Sequence, residues 1–198
     1  MLRKARLSLV APLGVLMVGA SALGAFALGR GGAPAGAEIK NVAGQTIGTF
    51  QLEDAGTGKS RITVNVKDLP AGYHGFHVHA KGVCDPKSID PASGTPFFSA
   101  GGHFDVGGHS HDHHTGDLPN LLVGDDGTGT ASSVTDRFRV AQLLDADGSS
   151  IMIHALADNM ANIPDRYQNA QGVHGPDAET LKAGDSGARI ACGVITGS

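Results

Sequence analysis

In Gly75-Phe76-His77-Val78-His79 the period of a strand puts His77 and His79 on one face and Phe76 and Val78 on the other, so two imidazoles project side by side from a stiff support. That arrangement holds two metal ligands ready for an ion. The apolar run Ser150-Ile151-Met152-Ile153 ends in His154, a candidate third ligand. Gly101-Gly102-His103-Phe104 opens a tract that continues through His109, His111, His113, His114 and Asp117. Five histidines and a carboxylate within fifteen residues are a metal-binding composition. Neutral imidazoles and one carboxylate in a tetrahedral array suit zinc, and four protein ligands would make such a site closed and structural.

Short strands must carry these groups. Apolar and polar residues alternate from Gly44 to Leu69 around the turn Ala55-Gly56-Thr57-Gly58, which predicts strand, turn, strand. Alternation returns over Gly75–His79, over Leu121–Val123 and Thr130–Thr135 on either side of Gly124-Asp125-Asp126-Gly127, and over Ser150–Ala155 and Ala188–Ile195. At least seven short strands joined by glycine-rich turns predict an all-β fold, an antiparallel sandwich or barrel. Two stretches, Lys81–Pro119 and Ala157–Gly187, do not alternate and are too long for turns. Loops of that size in a compact domain are usually functional or disordered, and the first of these holds most of the histidines.

The composition agrees. Thirty glycines and nine prolines without a tryptophan, in 198 residues of which 40% are hydrophobic and 17% charged, predict one turn-rich globular domain and exclude a coiled coil. From Glu38 onward eleven basic residues face nineteen acidic ones, a net charge of −8, which excludes nucleic-acid binding driven by phosphate contacts. The start is different in kind. Arg3, Lys4 and Arg6 precede a 22-residue uncharged stretch, Leu7–Leu28, followed by small-residue cleavage candidates at Ala25-Phe26-Ala27 and Ala35-Gly36-Ala37. Residues 1–37 therefore read as a signal peptide with a short linker, or as a membrane anchor if uncleaved, with the body 38–198 outside the cytoplasm. Two cysteines, Cys84 and Cys192, favour a disulfide in an exported body, since they lack the Cys-x-x-Cys spacing of a zinc site.

Taken in order, Gly75-Phe76-His77-Val78-His79, Gly102-His103-Phe104, His114-Thr115-Gly116-Asp117-Leu118, His154 with Ala157-Asp158, and Gly187-Ala188-Arg189-Ile190-Ala191-Cys192-Gly193 resemble the copper/zinc superoxide dismutase family in its exported bacterial form. The resemblance covers roughly residues 38–198 and implies a Greek-key β-sandwich with two long functional loops, the second of them electrostatic. It also implies dismutation of superoxide to dioxygen and hydrogen peroxide by alternating reduction and reoxidation of a histidine-bound copper ion, with a structural zinc. Imidazole suits both copper oxidation states, whereas hard carboxylates would disfavour the reduced one.

By the same resemblance, copper would be held by His77, His79, His103 and His154, and zinc by His103, His111, His114 and Asp117. The loop between the last two zinc histidines is much shorter than the family's, so His109 or His113 competes with His111. Asp158 would link a copper ligand to a zinc ligand, Arg189 would receive the anionic substrate, and the bridging His103 would supply a proton. Lys182 would assist steering, and Cys84 would pair with Cys192. His74 reads as a packing histidine, His174 as solvated, and Met152 and Met160 as filler. The resemblance leaves a homodimer open. The rival class is a non-catalytic protein of the same fold that sequesters metal on His109–His114.

Overall fold

The computed structural model describes residues 34–198; the export segment expected at the N-terminus lies, through residue 33, outside the described residues. Nine strands follow in chain order: β1 (Ala35–Asn41), β2 (Thr46–Gly56), β3 (Lys59–Val66), β4 (Gly72–His74), β5 (Phe76–His79), β6 (Leu121–Val123), β7 (Gly129–Thr135), β8 (Ser149–His154) and β9 (Arg189–Gly197), with one helical turn, α1 (Thr180–Ala183). Seven of them form an antiparallel sheet in the order β5-β8-β9-β1-β2-β3-β7, and β4 pairs with β6. The last strand returns beside the first, and β3 pairs with the distant β7, as in a Greek key. The all-β expectation holds.

Alternation builds the core. In β3, Ser60, Ile62, Val64 and Val66 are buried while Lys59, Arg61 and Asn65 are exposed. Phe50 of β2 and Phe76 of β5 meet edge to face with centroids 6.2 Å apart, although three strands separate β5 from β2 in the sheet order. The sheet is therefore curled around one apolar interior, to which β1, β2, β3, β5, β6, β8 and β9 all contribute.

Every residue of β8 is buried, because both of its faces are covered. Ile151 and Ile153 join the main core, whereas Met152 packs with Phe97, Ala100 and Cys192 of a second cluster. Cys84 and Cys192 form a disulfide that ties the long loop after β5 to β9. Closing a loop of about a hundred residues stabilises by about 4.7 kcal/mol in the chain-entropy model, an upper figure.

Two local differences from the sequence reading affect the site. β1 was not recognised, because Ala35-Gly36-Ala37 resembles a linker; these residues pair with both β2 and β9. The strand expected over Gly75–His79 is β5, which begins one residue later at Phe76, and Gly75 separates it from the unexpected β4. A Cβ on Gly75 would run into Ser186, so the close approach of the second long loop requires glycine there.

Candidate metal centre

Pairing β5 with β8 sets His77 opposite Met152 and His79 opposite Ser150. Phe76 and Val78 enter the core, which leaves both imidazoles on the outward sheet face beneath the long loops. His154 ends β8 on that same face. A bulge between Ile153 and His154 shifts the register so that Arg189 lies opposite His154, an example of a bulge re-aiming a side chain. His103 arrives from the loop and is bridged to His79, while the neighbouring Phe104 donates its N–H to Val78 O at 2.8 Å.

Each of these four rings has one nitrogen engaged and one without a partner. His77 Nε2 lies 2.8 Å from Asp158 Oδ2, His79 Nδ1 2.9 Å from Gly101 O, His154 Nδ1 3.1 Å from Gly187 O, and His103 Nδ1 2.6 Å from Asp117 Oδ1. His77 Nδ1, His79 Nε2, His103 Nε2 and His154 Nε2 are buried without a hydrogen bond. Four candidate ligand atoms, one from each of these residues, lie within 4.8 Å of one another. An unpartnered buried acceptor costs about 1–3 kcal/mol, so four gathered this closely fit a cation that would engage them all. Burial first, and then the neighbouring histidines and Arg189, push the His79 and His154 imidazoles well below their ordinary range, and His103 is pushed down to about 4. All three are therefore neutral near pH 7, as ligation requires.

His103 also faces a second group with His111, His114 and Asp117. Its Nδ1 is 3.3 Å from His114 Nδ1, which matches the about 3.3 Å edge of a tetrahedron with zinc–nitrogen bonds of about 2.0 Å. His111 Nδ1 is 3.0 Å from Asp117 Oδ2 but lacks the angle of a hydrogen bond. Asp117 is bridged to His77 in β5, and its Oδ2 receives the His114 N–H at 3.0 Å. His111 is the third histidine of this group. His109 and His113 are exposed and turn to other carboxylates, Asp105 and Asp112, both at 2.8 Å.

Asp158 joins the two groups. Its Oδ2 faces His77 Nε2 and its Oδ1 faces His111 Nε2, each at 2.8 Å. Burial pushes the His111 ring down, but Asp117 and Asp158 outweigh it and raise the ring to about 9. The same imidazoles hold both carboxyls well below the usual range against their own burial. Two residues that serve Asp158 were not found from the sequence. Asn120 clamps its backbone, accepting from Asp158 N and donating to Asp158 O at 2.8 Å each. Gly184, with φ +57°, ends α1 where a Cβ would fall on Asp158 Oδ1 and His111 Nε2. No local sequence signal marks either one, since the contacts join the two long loops.

Arg189 lines a cleft with His79, His103 and His154. Its guanidinium donates to Phe97 O and Gly101 O, both at 2.7 Å. Lys182 reaches the same cleft, but Glu179 sits 3.8 Å from its ammonium. Asp90 and Asp185 also line the cleft, so its carboxylates outnumber its two basic side chains. His74 is buried between His154 O and Pro70 O, a packing role, and His174 is exposed beside Asp165 O.

The chain matches the copper/zinc superoxide dismutase (SODC) family over residues 46–195. It is 42% identical over 163 residues to the superoxide dismutase [Cu-Zn] of Mycolicibacterium paratuberculosis, covering 79% of this chain and 71% of that one. The superoxide dismutase [Cu-Zn] of Mycobacterium tuberculosis is 44% identical over 158 residues, covering 77% of this chain and 65% of the relative. Among solved structures, the Cu/Zn superoxide dismutase from Brucella abortus superposes with a TM-score of 0.64 at 30% identity, covering 82% of this chain and 99% of that one.

Proposed function

The chain belongs to the copper/zinc superoxide dismutase family, oxidoreductases that convert superoxide to dioxygen and hydrogen peroxide, and from that premise we propose how its own residues divide the work. His77, His79, His103 and His154 hold copper; His103, His111, His114 and Asp117 hold zinc. The observation that carries this is the set of four buried ring nitrogens without partners. A copper ion held by these four imidazoles would supply the one-electron chemistry that dismutation of superoxide requires. Only imidazoles face it, a donor set compatible with both oxidation states. The other half, three histidines and one carboxylate, would hold zinc with four protein ligands, the donor set of a closed structural site.

Arg189 receives the substrate. Two of its five N–H donors are spent on Phe97 O and Gly101 O, which fixes the plane and leaves three for the cleft. Superoxide is too small for shape recognition, so the fixed positive charge selects it. Its field counts at contact distance, where Asp90 and Asp185 of the cleft oppose it and the more distant charges of the −8 body are damped beyond a Debye length of about 8 Å at physiological salt. Lys182 contributes less than its sequence position suggests, since Glu179 offsets it.

Free of copper, His103 Nε2 would take up a proton and give it to the departing peroxide, while Asp117 keeps Nδ1 oriented. Asp158 fixes the His77 and His111 rings, as carboxylates behind metal-binding histidines do. The second proton comes from solvent.

Residues 1–37 act as an export segment, which places the body 38–198 outside the cytoplasm. Of the two cleavage candidates, the one at Ala25-Phe26-Ala27 is the better supported, because Ala35–Ala37 are paired within the sheet and cutting after them would remove the first three residues of β1. Pulsing the metal-loaded protein with superoxide tests the assignment. Catalytic decay is expected, whereas stoichiometric consumption would favour a protein that only sequesters metal.

A further inference from the structure

The two halves of the centre are not equally tied to the sheet. His77 and His79 are in β5, and His103 and Asp117 are bridged directly to that strand. His111 and His114 instead stand on an arch, residues 105–115, that leaves the sheet. Only Asp112 and His113 separate these two histidines, so the arch has little chain of its own with which to set both rings.

Its root is secured by Asp105, which accepts the Thr115 N–H and hydroxyl at 3.2 Å each and the His109 N–H at 2.6 Å. Its crown is held from outside. Nη1 of Arg137 donates to Asp112 O at 2.9 Å and to His114 O at 3.2 Å. One guanidinium nitrogen thus ties the carbonyls on either side of His113. Arg137 is placed from a firm base: its own N–H is bonded to Thr135 Oγ1 at 3.1 Å, and the next residue, Phe138, is in the core with its carbonyl receiving the Ser60 hydroxyl at 2.9 Å.

We propose that Arg137 is a positioning residue for the zinc half, fixing the backbone of the short arch so that His111 and His114 face Asp117 before metal arrives. It touches neither ring, and its effect passes through the Asp112 and His114 carbonyls. The inference rests on the assignment of His103, His111, His114 and Asp117 to zinc. Partners that orient metal ligands from outside typically govern 10–100-fold in affinity, and Arg137 is expected to fall in that range.

The test is a chelator competition for zinc, together with the visible spectrum of the cobalt-substituted protein, on the disulfide-intact chain and on Arg137→Met. The methionine variant should bind zinc about 10–100-fold more weakly and show an altered cobalt spectrum, with copper affinity measured in the absence of zinc unchanged. Zinc affinity within twofold of the parent and an unaltered spectrum would overturn the proposal, as would equal losses for zinc and copper. If the parent itself took up no zinc, the assignment of the four ligands would fall together with the role of Arg137. Should Arg137→Met not fold, Arg137→Lys carries the test with the same two readouts: a selective but smaller zinc loss supports the proposal, and no loss or an equal loss of both metals defeats it.

Discussion

His79 and Arg189 share one acceptor: the Gly101 carbonyl lies 2.9 Å from His79 Nδ1 and 2.7 Å from Arg189 Nη2. A single peptide group of the first long loop therefore orients both a metal-facing imidazole and the cation proposed to receive the substrate. The disulfide between Cys84 and Cys192 anchors that loop to the strand bearing Arg189.

Replacing Arg189 tests the substrate side of this arrangement. Two unit charges 4 Å apart attract by about 4 kcal/mol at an effective dielectric of 20, and solvent in the cleft reduces this. Arg189→Ile is expected to lower the second-order rate with superoxide about tenfold or more, with copper content unchanged. Stopped-flow or pulse-radiolysis rates equal to the parent's would defeat the docking role.

Asp90 should have the opposite sign. Its carboxylate lines the cleft and is held by the neutral donors Ala92 N–H and Ser93 Oγ–H at 2.9 and 3.0 Å. Asp90→Asn is expected to raise the rate at an ionic strength of about 0.01 M, where the Debye length is about 30 Å, and to lose that advantage near 1 M, where it is about 3 Å. A rate that is unchanged or lower at low salt would contradict this.

Asp158 and Gly184 act together. Asp158→Ala removes the carboxylate that orients His77 and His111 and should weaken zinc binding about 10–100-fold. Gly184→Ala forces a Cβ against the same carboxylate and should give a smaller loss in the same direction. Chelator competition measures both, and unaltered zinc affinity in Asp158→Ala would show the bridge to be incidental.

Stripped of metal, the protein should be most stable near pH 6.5. His103, held down to about 4 in the fold, is protonated first in the unfolded chain as pH falls through its ordinary 6.5, so stability drops between 6.5 and 4; His79 and His154 act in the same sense. His111 is held up to about 9, so its contribution is full below 6.5 and is lost as pH rises toward 9. Urea midpoints at pH 4.5, 6.5 and 9 check this. A midpoint that climbs steadily to pH 9 would contradict it.

Alternation made the strands legible because a half-buried sheet writes its pattern into neighbouring residues: Leu121–Val123 and the hairpin of β2 and β3 fall where the sequence puts them. β1 escaped because its first three residues, Ala35, Gly36 and Ala37, lack strong strand character. The histidines were legible as a group, with His111 favoured by the resemblance and His109 or His113 as alternatives; the coordinates group His111 with His103, His114 and Asp117. Asn120, Arg137 and Gly184 were invisible because each acts across a long separation in the chain, through backbone groups or through the absence of a side chain. The pairing of Lys182 with Glu179 likewise depends on how α1 turns.

Four imidazoles, from His77, His79, His103 and His154, are proposed to surround a single copper ion. X-ray absorption at the copper edge of the metal-loaded protein tests it directly. The expected first shell contains nitrogen only, with the outer scattering of imidazole rings and one ring fewer in His79→Ala. A shell with sulfur or carboxylate oxygen from the protein, or one indifferent to His79→Ala, would contradict the account.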